Sequence, residues 1–575
     1  MLLNAEDIYG DLSSEEKEAL KRELAELLIK DDGRRAGWYH DYFCDDGTRL
    51  TFDINKPYEH VCPKCEKTYS EDRHHKAWVS ELREKRIKRL ITICCRAEND
   101  PSLMDTVTEQ FEWIAEQYRQ LPLLDGWKAK YGAAHLGGTV LEESVAICKL
   151  CLGIAQTDHL LSKELKRSLH EGFLVPAFDL LLHTVFRGND QPLTPHNIRV
   201  WHGCALACSA LLLQDEERLL SSFNAPLGLK FQLENGPKED GLWYEGSLGY
   251  HFYTAEGLTY LMAVSAALDR DLPLIKEHYI RMLKKPVDLY FSNGHGVAYG
   301  DTWAPITLER PLNLYTWAAG LVEEPCIASS LERMQKQDTR AARAPEAFPG
   351  FCIALAGPDD WEVSVKSGHL TGSHAHPDTG GVIVVYKGEE VAGDTGTTGY
   401  AAEINKWFRS PFSHNTVMVD NGKDTEEHLR SGLTPGRIRT GKDFIEIEGA
   451  IAHGCRIERR LEFRQGRILD TARLSSDTER VWTWLMHFNL PFDDLSGDRD
   501  SERFRDISWI QDVCRVQESG VFRTGQVGLT LENTEHSCGV YIFTSPANKK
   551  ADRRHGIAWD KESREAEFRA VWEGF

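Results

Sequence analysis

Residues 335–350 read QKQDTRAARAPEAFPG, and the hydrophobic pattern changes period across them. Before this stretch, segments such as WVSELREKRIKRLITICC (78–95), VTEQFEWIAEQY (107–118), TVLEESVAICKLCLGIA (139–155), ELKRSLHEGFLVPAFDLLLHTV (164–185) and NIRVWHGCALACSALLL (197–213) place apolar residues at i, i+3, i+4 and i+7. Short breaks such as RQLPLLDGW and RGNDQPLTP separate them. A long series of similar helices predicts helical hairpins set side by side in an (α/α) toroid. After the stretch the period is two: WEVSVKSG (361–368), GVIVVYKGEEVAGD (381–394), HNTVMVDNG (414–422), FIEIEGAIA (444–452), RIERRLEFRQGRILDTARL (456–474) and GVYIFTSP (539–546) alternate between Gly, Asp and Asn turns. That pattern predicts an antiparallel β-sandwich. The fold class expected is multi-domain α+β, with an N-terminal segment over 1–80, the toroid over 81–340 and the β domain over 341–575.

At 575 residues the chain exceeds one ordinary core. Its 41% hydrophobic and 27% charged residues exclude disorder and collagen-like structure. No apolar run is long enough to span a bilayer. With 68 Lys+Arg against 89 Asp+Glu, the net charge of −21 opposes general nucleic-acid binding. A locally basic cleft can still accept an acidic polymer. The opening MLLNAEDIYGDLSSEEKEALKRELAELL lacks the features of a secretory signal, so a cytoplasmic location is expected, or a periplasmic or secreted one if a leader has been removed. Within it, Ser13-Ser14-Glu15-Glu16 predicts a capped helix.

The 14 cysteines, among them Cys94–Cys95, Cys148 and Cys151, read as reduced thiols rather than a disulfide framework. In HDYFCDDGTRLTFDINKPYEHVCPKCEKTY (40–69), Cys62-x-x-Cys65 has zinc-knuckle spacing. Only Cys44 and a histidine, His40 or His60, are available to complete a set. A small turn with free thiols is the competing reading.

Three constellations carry chemistry. In NGPKEDGLWYEGSLGYHFY (235–253), tyrosines crowd a Gly-rich acidic loop that runs into a helix. They suit either packing or proton transfer, since nearby cations and donors bring a phenol of pKa ~10 into range. In PHNIRVWHG (195–203), Asn197 and His202 are either a cap and a core histidine or polar groups aimed at an anion. In GHLTGSHAHPD (368–378), His374 and His376 alternate as on one strand face. Asp394 and His414 follow at other predicted strand ends. Two imidazoles and a carboxylate suit zinc or a similar divalent ion.

The chain resembles the heparinase II/III-type polysaccharide lyases, a group that includes heparan-sulfate, glycosaminoglycan and alginate-oligomer lyases. The resemblance is carried by NIRVWHG, DGLWYEGSLGYHFY, GSHAHPDTGG, GEEVAGDTGTTGY and RSPFSHNTVMVDNG, in that order, with HVCPKCEKTY upstream. It implies a helical toroid followed by antiparallel sheets, β-elimination at a uronic acid, and a structural divalent metal, zinc before manganese or calcium. By motif match, Asn197 would bind the uronate carboxylate with His196 or His202 assisting, and Tyr250 would be the acid and also the base. His374 would be a second base or charge neutraliser. His376, Asp394 and His414 would hold the metal. Trp201, Tyr244, Glu245 and Arg409 would line the substrate, Arg409 through bidentate contact to carboxylate or sulfate. Some relatives carry histidine where this chain has Ile198, which leaves the role of each histidine open.

A glycosaminoglycan is the substrate expected, with alginate or another uronan next. The partner implied is an acidic oligo- or polysaccharide, with no nucleic acid and no membrane; a homo-oligomer stays open. A non-catalytic carbohydrate-binding protein is a different class. A glycoside hydrolase is another, and would need two opposed carboxylates, for which Asp240 and Glu245 are available.

Overall fold

A computed structural model describes residues 12–186, 194–338, 343–422, 435–493, 497–500, 502–517, 521–547 and 553–575. Most of the break at 187–195 and the centre of the linker, with the expected 340/341 boundary, lie outside the described residues.

The first helix, α1 (Ser14–Lys30), starts at Ser13, which forms a capping box with Glu16. The N-terminal segment continues through a short hairpin, β1 (His60–Val61) with β2 (Thr68–Tyr69). Helix α2 (Asp72–Cys94) spans the boundary placed near residue 80. Its first half, with Ala77, Trp78 and Leu82, packs into the N-terminal segment's core, and its second half, with Ile87, Leu90 and Ile91, joins the main helical core.

The helical domain continues with α3 (Met104–Gln117), α4 (Val140–Thr157), α5 (Lys163–Leu169), α6 (Val175–Leu181), α7 (Asn197–Leu213), α8 (Glu216–Asn224), α9 (Leu229–Asn235), α10 (Leu248–Ala267), α11 (Pro273–Leu283), α12 (Glu309–Leu321) and α13 (Pro325–Gln335). Helices α2, α4, α7, α10 and α12 pack in succession, and α3, α8, α11 and α13 lie against them. Sequence explains this layering. Helices α4, α7 and α10 are apolar on nearly every face and are buried all round, whereas α8 and α13 carry one narrow apolar stripe. The segment read as one helix over 164–185 contains π-helical turns at His170–Leu174 and Leu182–Phe186. Pro176 has no N–H to donate four residues back, which explains the widened turn before it. No described helix is long and apolar enough to cross a membrane.

The β half is a sandwich. One sheet orders β3 (Arg343–Phe348), β4 (Ile353–Gly357), β5 (Trp361–Lys366), β6 (Val382–Tyr386) and β7 (Glu389–Ala392). The other is built from β8 (Val417–Val419), β9 (Arg437–Thr440), β10 (Phe444–Ala452), β11 (Cys455–Arg464), β12 (Arg467–Phe488), β13 (Asp498–Arg499), β14 (Gln511–Val516), β15 (Val521–Thr524), β16 (Val527–Glu532), β17 (Ser537–Pro546) and β18 (Arg553–Gly574). All pairings are antiparallel, and the long strands β12 and β18 pair along most of their length. The β11–β12 turn places Gln465 and Gly466 at φ 52° and 73°, the two-residue geometry that matches strand twist.

The smaller sheet is buried on both faces, and its alternation shows why. Ala354, Ala356, Val382 and Val384 meet Ile445, Ile457 and Trp484 between the sheets. Their neighbours Ile353, Leu355, Ile383 and Val385 belong to the helical core. Continuous apolar runs in β4 and β6 therefore weld the two halves together, and the loops at that seam form the candidate site.

Candidate active site

Asp301 is the centre of the site. It lies in the loop before α12, where Gly300 has φ +59° and a Cβ would fall 2.5 Å from the His374 carbonyl oxygen. Only glycine permits that approach. The Asp301 N–H donates to that carbonyl at 3.0 Å. The carboxylate meets His374 Nδ1 at 2.9 Å, His376 Nε2 at 2.8 Å, the Tyr400 hydroxyl at 2.9 Å, and Arg409 Nη1 at 2.7 and 2.8 Å. Burial alone would raise this carboxyl, but the bonds from His374 and His376 hold it well below the usual range.

Neither histidine lies on a strand, contrary to the alternation reading. Residues 369–381 form a loop, and His374 adopts φ +60°. The two imidazoles converge on opposite oxygens of one carboxylate instead of sharing a pleated face. Asp301 fixes the orientation of the His374 ring, which stacks on Tyr250 with centroids 3.5 Å apart. The Tyr250 hydroxyl bonds the Tyr400 hydroxyl at 2.6 Å. Burial, with the Asp301 charge adding to it, raises the Tyr250 pKa, so its phenol is held protonated.

Asn197 opens α7 beneath this stack. The cap itself is His196, whose Nδ1 accepts the Ile198 N–H at 3.2 Å. Asn197 Nδ2 donates to Glu245 at 2.8 Å and lies 3.3 Å from His374 Nε2; its Oδ1 is buried with no partner. The structure thus brings Asn197, Tyr250, His374, His196, Glu245 and Arg409 together, from both halves of the chain. Arg409 retains 36% side-chain exposure while paired to Asp301.

Four expected roles are corrected. His202 is buried inside α7, bonded to Ser144 Oγ at 2.7 Å, and burial pushes its pKa down to about 3. Trp201 is fully buried against Tyr253 and Tyr260, away from any surface a saccharide reaches. The Tyr244 hydroxyl donates to the Pro195 carbonyl and anchors the approach to α7. Glu245, 2% exposed, positions Asn197 rather than facing substrate. Asp240 is also committed, accepting the N–H groups of Leu242 at 3.1 Å and Gly350 at 2.9 Å. Asp240 and Glu245 are therefore not an opposed hydrolytic pair.

The sequence reading missed Asp301 and Tyr400 as site residues. Tyr400 was visible only as the end of GDTGTTGY, and Asp301 only as the polar residue in VAYGDTW. It also missed the N-terminal segment's share. His40 packs at a tilt against Tyr400, with centroids 4.6 Å apart, and Trp38 likewise against His40 at 5.0 Å. Lys128 Nζ lies 3.6 Å above Trp38 and 3.8 Å above Trp127. Trp127 and Tyr131 are 59% and 55% exposed, so an aromatic and cationic surface extends outward from the site.

The expected metal ligands also gather. Donor atoms of Asp378, Asp394 and His414 all lie within 4.8 Å of one another, and the His376 ring centre is 5.3 Å from that of His414. His376 Nδ1, His414 Nε2 and both Asp378 oxygens are buried without a hydrogen-bond partner. Asp394 accepts the His414 Nδ1 bond at 2.8 Å, which turns Nε2 inward. The unpartnered imidazole nitrogens beside these carboxylates fit a divalent cation, with Asp378, which also pairs with Lys366 at 3.3 Å, added to the set read from sequence.

Comparison with known proteins places this geometry. Residues 339–552 match the family described as heparinase II/III-like, C-terminal. That match covers most of the β half of the chain. The chain as a whole is similar in fold to a crystal structure of heparinase III, with a TM-score of 0.64 at 13% identity, covering 98% of this chain and 85% of that one. A second heparinase III, solved with methylated lysines, gives 0.60 at 15% identity over 98% and 89% of the two chains. The heparan sulfate lyase HepC from Pedobacter heparinus gives 0.58 at 13% identity over 97% and 88%. No curated protein matches the chain in sequence. The architecture is thus a helical toroid followed by a β-sandwich, as the change of period predicted.

Proposed function

We propose that this chain is a polysaccharide lyase that cleaves uronic-acid-containing glycosaminoglycans by β-elimination. The observation that carries the reading is the convergence of Tyr250, His374 and Asn197 at the seam of the two halves, around one buried carboxylate. Elimination needs the substrate carboxylate neutralised, a base for the C5 proton and an acid for the O4 leaving group. Arg409 and Asn197 supply the cation and amide for the carboxylate. Because Nδ1 is turned toward Asp301, His374 Nε2 takes the C5 proton once the substrate carboxylate draws Asn197 Nδ2 from its 3.3 Å contact with that nitrogen. Tyr250, held protonated, gives its proton to O4, and Tyr400 stands next in the hydrogen-bond chain to Asp301. The C5–H electrons form the C4–C5 double bond as the C4–O4 bond breaks, so no external reactant is consumed.

Turnover should be measured on heparan sulfate, hyaluronan, chondroitin sulfate and alginate. Release of unsaturated product from a glycosaminoglycan supports the reading; cleavage of alginate alone would move the substrate to the uronan alternative.

His376, Asp378, Asp394 and His414 are the residues that would hold a divalent ion, zinc by donor type. When bound, such an ion supplies cross-linking between the loops that carry them. The chain's own link from these residues to the cleft is the His376–Asp301 bond. His414→Ala should lower the metal content by about one equivalent and lower Tm; elemental analysis and thermal unfolding read both. Unchanged metal content would remove His414 from the ligand set.

The exposed rings beyond Tyr400 suit stacking on sugar faces, and Lys128 between them suits an acidic chain. Trp127→Ala should raise KM about tenfold, ~1.4 kcal/mol, with kcat nearly unchanged, because it removes binding shared by ground and transition states. Steady-state kinetics on a long substrate checks this.

A further inference from the structure

Two turns in the N-terminal segment face one another, apart from the cleft and from the donors around His414. In the first, the Cys44 N–H donates to Thr48 O at 2.8 Å and the Gly47 N–H to Cys44 O at 3.0 Å. The second joins β1 to β2: the Cys62 N–H donates to Lys67 O and the Glu66 N–H to Cys62 O, both at 3.0 Å. Glu66 takes φ +58° to close it. The sulfurs of Cys44, Cys62 and Cys65 all lie within 4.8 Å of one another, and all three are free thiols. Cys44 and Cys62 are buried.

The surroundings of the Cys62 sulfur are those of a thiolate rather than of a packing group. The N–H groups of Lys64 and Cys65 point at Cys62 Sγ from 3.4 and 3.5 Å, an arrangement that stabilises negative sulfur. Asp46 Oδ1 sits against Cys44 Sγ, and Lys64 Nζ lies 3.4 Å from the other Asp46 oxygen. Hairpin β1–β2 is only two residues long on each side. A hairpin that short is marginal without a further constraint.

We propose that Cys44, Cys62 and Cys65 bind a zinc ion. Tetrahedral zinc with bonds of ~2.3 Å spaces its sulfurs roughly 3.8 Å apart, within the observed limit. The histidines that spacing offered are engaged elsewhere. His40 faces Tyr400, and His60 bonds Tyr42 and His75 at 3.2 Å each. The ion ties the two turns into one unit, and that unit braces the active-site wall. Phe43 packs under Gly399, Thr398 Oγ1 donates to Gly47 O at 3.4 Å, and the Ile404 N–H donates to Asp45 O at 3.4 Å. The loop so supported carries Tyr400. The zinc assignment does not depend on the lyase reading.

The test uses the full chain purified under reducing conditions. Zinc is measured in the wild type, Cys62→Ser and Cys65→Ser, and the same proteins are loaded with cobalt. Cobalt separates this site from the donors around His414, since only thiolate ligands give a sulfur-to-metal charge-transfer band. We expect that band in the wild type, about one equivalent less zinc in Cys62→Ser, and zinc retention against a chelator weakened about tenfold or more in Cys65→Ser. Cys65 is exposed, so its variant leaves the core intact, and circular dichroism verifies the fold. A cobalt spectrum without sulfur ligation overturns the proposal. So does unchanged zinc in both variants, or a Cys62–Cys65 disulfide in the reduced preparation.

Discussion

Tyr250→Phe is expected to lower unsaturated-product formation by about 10⁴-fold, the upper end for a general acid–base group, with the fold retained. The phenyl ring keeps its stack on His374, and the hydroxyl lost is the proposed proton donor to O4. Without it the leaving oxygen departs as an alkoxide. The structural cost is one hydrogen bond, to Tyr400, worth about 1 kcal/mol. Tyr244 and Tyr253 are the controls. Tyr244→Phe loses its bond to the Pro195 carbonyl and its contact with the Thr371 side chain, and Tyr253 packs on Trp201. Both variants should retain substantial turnover. Near-normal activity in Tyr250→Phe would remove this residue from the mechanism.

Asp301→Asn should cost about 10²–10⁴-fold in kcat, although Asp301 touches no reacting atom in the scheme. The carboxylate accepts from His374, His376, Tyr400 and Arg409 together. An amide replaces one acceptor with a donor. It sets N–H against N–H or forces His374 into the other tautomer, which closes Nε2 as a base. Arg409 loses its counter-charge, so Tm should also fall by a few degrees, at about 1.5–3 kcal/mol per charged hydrogen bond lost. Loss of activity with KM nearly unchanged would mark a positioning role. An Asn variant with full turnover and wild-type Tm would contradict the hub.

The architecture was legible because period is a local property. Ala354 and Ile353, or Val384 and Val385, declare opposite faces within one strand, and the helices declare theirs within two turns. The proposed catalytic trio was legible through motifs that resemble known lyases. What was not legible is the set of groups that hold the trio. Asp301 meets His374 and Arg409 only after the chain has crossed from the helical half to the β half, so no local spacing announces it. His374 and His376 misled for the same reason. Alternation implies a strand only where the backbone is extended, and Gly372 and Pro377 frame a loop in which His374 turns left-handed. His202 and Trp201 follow Asn197 in the motif, but helical geometry rotates them into the core, so closeness in sequence to a site residue did not bring them into the cleft.

The most direct test of the account is to follow ultraviolet absorbance and new reducing ends together during digestion of a uronic-acid-containing glycosaminoglycan. Elimination leaves a conjugated, unsaturated uronate at each cut, so absorbance should rise in step with reducing ends and fall to background in Tyr250→Phe. Reducing ends formed without absorbance would mean hydrolysis and would contradict the central claim.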